Sequence, residues 1–427
     1  MLKSKFLIQS NHTSIFLGLI IALIYTLLLL SSCKNRNTVD QGSPIKQNEF
    51  GIIREPVRDN NHLYEIDLTN SFMDTKSSSF DFTQLLDDYK LIFLETIESS
   101  IIGEIKKVIV VDSFILVLDP FVAKSLYIFR DDGKFVRQIG NTGRGPGEYI
   151  EPTDCHYDKE KNLIVIYDQF KSEFLYYDFD NNYLGNKKFF FRFIQFASIG
   201  NEYVYRILLD NSHLKELNDY SLFIGTDTLP IKYACLPKFR FKLANGLLYN
   251  INDTIAVYGM PFCDTIYHYT HGTLLPRYYI KFNPRTRLPK NFDKNIQYDY
   301  HKFRKRYTSD QYTYFNGDFL ETDDYLYFSI SHNTGHLFYY HKDTKILYGG
   351  ANFLVNRDYT LIRMLMFYGR PISHSGKYFI SPIDADRIFS YLKFTEENIK
   401  KQLLQHHPAL ENLKIEDNPV LFFFKLK

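Results

Sequence analysis

The sequence predicts an all-β protein, a six-bladed β-propeller with four-stranded antiparallel blades and short helical insertions. Short strand-like segments recur from about residue 90 onward, separated by turns rich in Asp, Asn and Gly. These segments group in fours with a period of roughly 45 residues, which is typical of propeller blades. Aromatic residues make up 17% of the 427 residues, a composition that suits pleated, half-buried strands.

The first unit shows the pattern in full. Residues 108–111, 114–118 and 126–129 are apolar runs, and the Asp-Asp-Gly sequence at 131–133 predicts a tight turn before the strand 135–139. The chain lacks the long helical periods of a doubly wound α/β fold. Five further units follow, at residues 153–191, 193–233, 245–282, 318–347 and from 372 onward.

Ring closure is predicted from the two ends of this array. Residues 420–426 form a strongly apolar strand, and residues 90–94 precede the first unit as an unpaired strand. Because a radial array otherwise leaves open strand edges, we expect 90–94 to complete the blade that holds 420–426. Residues 64–68 look like one more strand, which the pattern does not place.

Two segments show helical spacing of apolar residues instead of strand alternation. They lie within residues 293–308 and 385–407, and the second ends near Pro408. Both are predicted as insertions between blade strands.

The N-terminal segment has the features of a secretory signal. Lys3 and Lys5 precede residues 15–30, which carry no charge and are nearly all apolar. The following Leu-Ser-Ser-Cys sequence, ending at Cys33, resembles the bacterial lipoprotein signal, which implies that this cysteine carries the lipid. An uncleaved anchor is the alternative, but the apolar segment is shorter than the roughly 20 residues of a membrane-spanning helix.

The sequence therefore predicts three regions. Residues 1–32 form a lipoprotein signal peptide, residues 33–60 comprise the lipidated cysteine and a flexible tether, and residues 61–427 form the propeller. Lipid chains would attach the protein to a membrane.

Charge and cysteine content exclude some functions. The formal net charge is +2, and Lys3 and Lys5 are the only charges in the signal segment, so the remainder is neutral. A neutral chain gives no electrostatic basis for nucleic acid as a partner. Cys155, Cys235 and Cys263 lie in apolar contexts without a Cys-x-x-Cys pair, so we expect buried small side chains, with at most one disulfide.

One segment carries a family pattern. Its residues are Gly133-Lys134-Phe135, Ile139-Gly140, Gly143-Arg144-Gly145-Pro146-Gly147-Glu148-Tyr149, Pro152, Asn162-Leu163-Ile164-Val165 and Tyr167-Asp168. This segment resembles an NHL-type propeller repeat. Together with the lipoprotein signal and the terminal Asn418-Pro419-Val420 strand, the chain resembles the six-bladed β-propeller lipoproteins of bacteroidete-type bacteria. The resemblance implies the fold, and it implies no particular activity.

The glycine-rich loop is a candidate inter-blade connection, formed by Gly143, Arg144, Gly145, Gly147 and Glu148. A phosphate-binding interpretation is disfavoured because the loop lacks the Lys-Ser/Thr of a P-loop and does not open a helix. The glycines suit a tight crossover between blades. Arg144 either pairs with Glu148 or points into the channel.

Four polar residues are candidates for the channel mouth by their position near inner strands: Glu104, Asp154, His156 and Asp318. They are either polar groups at strand ends or ligands of a channel metal, Ca or Zn. No cofactor is predicted, and no nucleophile elbow or His-Glu-x-x-His motif occurs in the sequence.

Two functions stay open. The first is a lipid-anchored, non-catalytic binding or scaffold module for a glycan, peptide or protein partner. The second, suggested by the resemblance to NHL-like folds, which include lyases with a channel metal, is a metal-dependent hydrolase or lyase at the channel mouth. Convergence of Asp154, His156 and Asp318 favours the enzyme, whereas an apolar channel or one filled by Lys or Arg favours the binding module. Lys34 after the cysteine, without an acidic run, indicates an outer-membrane lipoprotein that faces the periplasm.

Overall fold

The structure is a computed structural model that describes residues 52–54, 56, 63–70, 82–238, 247–289, 300–307, 311–332, 334–350 and 360–427. Six sheets, each of four or five strands, form the blades of a β-propeller, as the sequence predicts. No helix within the described residues is both long enough and apolar enough to span a membrane.

The strands follow in chain order. The first three are β1 (Ile52–Ile53), β2 (Tyr64–Asp67) and β3 (Leu86–Phe93). Blade 1 contains β4 (Lys107–Val111), β5 (Phe114–Asp119), β6 (Ser125–Arg130) and β7 (Phe135–Ile139). The glycine-rich loop holds the short parallel pair β8 (Asn141–Thr142) and β9 (Glu148–Tyr149). Blade 2 contains β10 (Pro152–Asp158), β11 (Leu163–Asp168), β12 (Glu173–Tyr177) and β13 (Tyr183–Lys188).

The remaining blades repeat this order from the inner to the outer strand. Blade 3 contains β14 (Gln195–Ile199), β15 (Glu202–Arg206), β16 (Tyr220–Thr226) and β17 (Tyr233–Pro237). Blade 4 contains β18 (Leu247–Asn252), β19 (Ile255–Gly259), β20 (Thr265–Thr270) and β21 (Thr273–Lys281). Blade 5 contains β22 (Tyr314–Glu321), β23 (Tyr325–His332), β24 (Thr334–His341) and β25 (Leu347–Gly350). Blade 6 contains β26 (Ser373–Ser375), β27 (Tyr378–Ile383) and β28 (Val420–Leu426).

Blade 6 closes the ring. Its outermost strand is β3, which pairs antiparallel with β28, so that Phe93 lies opposite Val420 and Lys90 opposite Phe423. The prediction that residues 90–94 complete the blade of 420–426 is therefore confirmed.

Two blades gain a fifth strand from the N-terminal side of the chain. β1 pairs parallel with β17, with Ile52 opposite Tyr233, and β2 pairs parallel with β21, with Tyr64 opposite Tyr278. The second pairing places the strand that the sequence pattern left unassigned. Ile52 and Ile53 belong to the segment expected to be a tether, so the sheets begin before the expected boundary at residue 61.

Four α-helices occur among the described residues: α1 (Tyr300–Arg306), α2 (Leu361–Tyr368), α3 (Ala385–Phe394) and α4 (Glu397–His406). α1 lies within the predicted segment 293–308, between blades 4 and 5. α3 and α4 lie within 385–407, between β27 and β28. α2 lies between blades 5 and 6 and was not predicted.

The cores lie between adjacent blades, which explains the continuous apolar strands. In β5, Ile115 and Val117 pack with Phe423 of blade 6, whereas Leu116 and Leu118 pack in a cluster shared with blade 2. Successive side chains of a strand point to opposite faces, and here both faces are buried. Such strands read as unbroken apolar runs in the sequence.

The two faces of the ring differ. Connections between strands two and three of each blade, and those between blades, emerge on one face, which we call the loop face; the opposite turn face has short turns. Of 15 exposed large apolar residues in the described ranges, 11 lie on loop-face connections. They are Ile97, Ile101, Phe121, Val122, Phe170, Phe190, Tyr368, Phe389, Phe394, Ile399 and Ile415. The loop face is therefore the more apolar surface of the propeller.

Candidate functional site

The inner strands of the six blades surround a central cavity. Strands β4, β10, β14, β18, β22 and β26 contact one another in succession around the ring. The cavity has a volume of about 340 Å³, and each blade contributes residues to its wall. A cavity of this size is at the lower end of the about 300–1,000 Å³ typical of ligand pockets.

An ion pair at the loop-face end of the cavity connects three blades. Lys107 Nζ in blade 1 lies 2.8 Å from Asp154 Oδ1 in blade 2, and Asp154 Oδ2 accepts a 3.0 Å hydrogen bond from the Phe196 N–H in blade 3. The Asp154 side chain is 1% exposed and that of Lys107 20% exposed. Burial lowers the pKa of Lys107, but the Asp154 carboxylate outweighs this effect and leaves that pKa above its usual value.

A second ammonium group lies beside this pair. Lys106 Nζ donates a 2.8 Å hydrogen bond to the Thr153 carbonyl and lies 5.8 Å from the centroid of the Phe121 ring. Burial lowers the pKa of Lys106, and repulsion from Lys107 and Arg206 adds to the effect, although Asp154 opposes it. At this end, the cavity wall thus carries two ammonium groups, from Lys106 and Lys107, and one carboxylate, from Asp154.

Two buried carboxylates fix the adjacent loops of blades 1 and 2. Asp119, at the end of β5, accepts backbone N–H groups from Gly103, Glu104 and residues 121–123 at 2.7–3.1 Å. Asp168, at the equivalent end of β11, accepts the N–H groups of Ile150, Phe170 and Lys171 at 2.6–3.2 Å.

Each of these loops presents one phenylalanine. Phe121 is 51% exposed and Phe170 is 55% exposed, at equivalent positions two residues after the buried aspartate. Because the carboxylates hold the backbone, the rings are displayed on ordered loops.

Residues 63–425 match the family model of a domain of unknown function, DUF4934. The chain belongs to the DUF4934 family. Comparison with the curated proteins finds no significant relative.

The DUF4934 chain is also similar in fold to solved structures. A Bacteroides fragilis protein described as "Putative exported protein" is 20% identical, with a TM-score of 0.65 over 86% of this chain and 99% of that one. A DUF4221 family member from Bacteroides vulgatus is 9% identical, with a TM-score of 0.47 over 80% of this chain and 97% of that one.

The DUF4934 structure brings together only part of the predicted channel set. Asp154 and His156 lie two residues apart on β10, so their side chains share one face of the strand, and both line the cavity. Glu104 and Asp318 do not line it. Glu104 is exposed ahead of β4. Asp318 lies inside blade 5, where it accepts hydrogen bonds from the Tyr327 hydroxyl at 3.1 Å and the Ser329 hydroxyl at 3.0 Å. Burial raises the pKa of the Asp318 carboxyl.

The two histidines of the cavity are neutral near pH 7. Burial lowers the pKa of His156 to about 4. Burial also lowers the pKa of His374, and its Nε2 lies 3.1 Å from the Asn250 carbonyl of blade 4, which requires the Nε2–H tautomer. Neither imidazole is tuned for proton transfer at neutral pH.

Metal ligation was the other interpretation of the channel residues. Within the described part of the DUF4934 chain, no group of three or more His, Cys, Asp or Glu side chains is arranged to hold a metal ion. Asp154 is already the acceptor for Lys107 and for the Phe196 N–H. Both carboxylate oxygens of Asp154 are therefore engaged by donors of the protein itself.

The side chain of Glu148 occupies the space inside the glycine-rich loop to which it belongs. Glu148 Oε2 accepts the Gly145 N–H at 2.7 Å, and a Cβ atom at Gly143 would lie 2.1 Å from the same oxygen. Gly147 has φ +72°, a conformation that favours glycine. Arg144 is exposed and does not line the cavity. These contacts support the crossover interpretation over a phosphate site.

The cysteines divide into two groups. Cys155 and Cys235 are buried and Cys263 is half-buried, all with free thiols. Burial raises the pKa of Cys155 to about 12 and that of Cys263 to about 11, so neither is a nucleophile at neutral pH. Cys33 lies outside the described residues.

Sequence reasoning missed Lys106, Lys107 and the two loop phenylalanines. A signal for the lysines was present, because two adjacent cations lie at the start of the inner strand of blade 1, as Asp154 lies near the start of that of blade 2. A signal for the rings was the repeated Asp-x-Phe at 119–121 and 168–170, which occurs at the end of the second strand in both units.

Proposed function

We propose that this DUF4934 protein is a lipid-anchored propeller of the cell envelope that binds a glycan, peptide or protein partner without catalysing a reaction. The observation that carries the proposal is the ionic and protonation state of the side chains that line the channel. Asp154 is engaged by Lys107, and His156 is neutral, so the cavity presents hydrogen-bonding and charged walls without an available acid–base pair. The exposed apolar residues of the loop face add contact area for a partner.

The proposed cellular location is supported by the N-terminal pattern. Residues 15–30 and Cys33 have the order of a lipoprotein signal, and a lipidated Cys33 would attach the propeller to the outer membrane on its periplasmic side. The similar Bacteroides fragilis structure carries the description "Putative exported protein", which agrees with export.

The alternative, a metal-dependent hydrolase or lyase, required Asp154, His156 and Asp318 to converge. Asp318 is instead bound to Tyr327 and Ser329 within blade 5. No observation in the described residues favours this enzyme over the binding module.

Replacing Cys33 by Ser is expected to abolish lipid attachment. When the full-length protein is expressed in a bacterium fed radiolabelled palmitate, the wild type should carry label and sediment with membranes. The C33S variant should carry none, because the serine hydroxyl does not replace the thiol in diacylglycerol transfer. Cys263→Ser is the matched control and should be labelled as the wild type. Label on C33S, or an unlabelled wild type, would contradict the anchor.

Ligand binding without turnover is tested with a library of envelope glycans and peptides. A ligand of the folded state should raise the melting temperature of the full-length protein by mass action. After overnight incubation, mass spectrometry should recover that ligand with unchanged mass. A chelator should leave the melting temperature within about 1 °C, since the proposal includes no bound metal. Cleavage of the ligand, or a fall in melting temperature that one divalent ion reverses, would favour the enzyme.

A further inference from the structure

The loop-face end of the channel has an unbalanced charge. Lys106 and Lys107 supply two ammonium groups, and Asp154 supplies one carboxylate. Among the described residues, Lys106 forms no ion pair; its hydrogen-bond acceptor is the Thr153 carbonyl. Burying an uncompensated charge is costly, so such a group is normally matched by an anion.

The other charged residues of the cavity wall do not correct this imbalance. Asp112, Lys159 and Asp253 lie at the turn-face ends of β4, β10 and β18, and all three are exposed. Water and salt screen exposed charges at that distance along the strands. The positive charge at the loop-face end therefore remains available to a ligand.

An exposed apolar surface adjoins the Lys106 ammonium group. The Phe121 ring lies 5.8 Å from Lys106 Nζ and is 51% exposed, and its neighbour Val122 is 67% exposed. The backbone beneath them is fixed by Asp119, which is fully buried. An exposed aromatic ring on an ordered loop is a surface on which the apolar face of a sugar stacks.

We propose that the loop-face end of the channel binds a carboxylate-bearing sugar, a hexuronate unit of an acidic glycan, with Lys106 as the partner of the carboxylate and Phe121 as the stacking surface. This inference rests on the proposed binding function and names the ligand class for it. A sugar ring is favoured over a peptide carboxylate because the cation and the exposed ring are adjacent, which matches the adjacent carboxylate and ring of a uronate.

The test uses titration calorimetry on the full-length protein in a non-ionic detergent at pH 7 and low salt. The probes are cellobiouronate and cellobiose, which differ only in the carboxylate, and N-acetylalanine, which has a carboxylate without a sugar ring. Cellobiouronate should bind at least about tenfold more tightly than either other probe, because a charge-assisted hydrogen bond and a stacked ring act together.

Two variants and one control assign the contacts. Lys106→Met should weaken cellobiouronate binding by about tenfold or more and leave cellobiose binding unchanged, since only the carboxylate contact is removed. It should also raise the melting temperature of the unliganded protein, because an unpaired buried charge is removed. Phe121→Ala, at an exposed position, should weaken both sugars. Lys188→Met, an exposed lysine of β13, is the matched control and should bind as the wild type.

Equal binding of the two sugars, or wild-type binding by Lys106→Met, would overturn the proposal. Tighter binding of N-acetylalanine would assign the site to a peptide carboxylate instead. If none of the three probes binds, the hexuronate site is rejected, whereas the proposed binding function is judged separately by the ligand library.

Discussion

A chain that ends at Asp417 is expected to lose cooperative unfolding. Deleting residues 418–427 removes β28, which lies between β27 and β3 in the closing blade. Six of its side chains are at most 3% exposed, so their burial contributes on the order of 10 kcal/mol. That is comparable to the whole stability of a typical domain, about 5–15 kcal/mol. Thermal unfolding followed by calorimetry should show a broad, low-enthalpy transition in place of the parent's single peak.

A point variant separates loss of packing from loss of closure. Phe422→Ala, at a fully buried position in the same strand, should cost about 3–5 kcal/mol but retain a single transition, because the ring stays closed. A synthetic peptide of residues 418–427 added to the truncated chain should restore part of the sharp transition. A truncated chain that melts sharply near the parent temperature would show that closure by β3 and β28 is not needed.

The propeller fold could be predicted from the sequence because the strongest signals of this fold are local. The rhythm of strands, the turn residues and the aromatic strand 420–426 were each visible within a few residues. The fifth strand β2 was visible as a strand but could not be placed, since its partner β21 is more than 200 residues away and pairs with it in parallel. Helix α2 was missed because its sequence, LIRMLMFY, is a short apolar run that suits a buried strand equally well.

The site was harder to predict because it depends on register. Asp318 was expected at the start of the inner strand of blade 5, but β22 begins at Tyr314 and shifts register between Phe315 and Phe319. A shift of one position moves a side chain to the other face of a strand, and here the carboxylate points toward Tyr327 and Ser329 of β23. Asp154 and His156 both line the cavity because the register of β10 is regular from Asp154 onward, so the two side chains share one face of the strand.

The second large effect is a loss of stability expected for Asp154→Asn, which changes the charge balance of the channel. The variant retains the shape of the side chain but removes the carboxylate that Lys107 contacts at 2.8 Å, which leaves two ammonium groups at one end of the cavity. Breaking a buried ion pair from one side typically costs about 3–5 kcal/mol, and urea unfolding of the full-length protein should show a loss of that size.

A second substitution distinguishes loss of the ion pair from a simple packing defect. Adding Lys107→Met to Asp154→Asn should recover a large part of the stability, because the double variant no longer buries the Lys107 charge without its partner. Asp158→Asn, on the same strand but paired with the half-exposed Lys161, is the matched control and should cost about 1 kcal/mol or less. If Asp154→Asn is as mild as this control, the Cys155 carbonyl, which accepts a 2.8 Å hydrogen bond from Lys107 Nζ, is a sufficient partner for Lys107, and the three-blade contact does not stabilise the ring. If the loss is large and the double variant recovers it, the loss comes from the Lys107 charge left without its carboxylate, and the contact between Lys107 and Asp154 stabilises the ring.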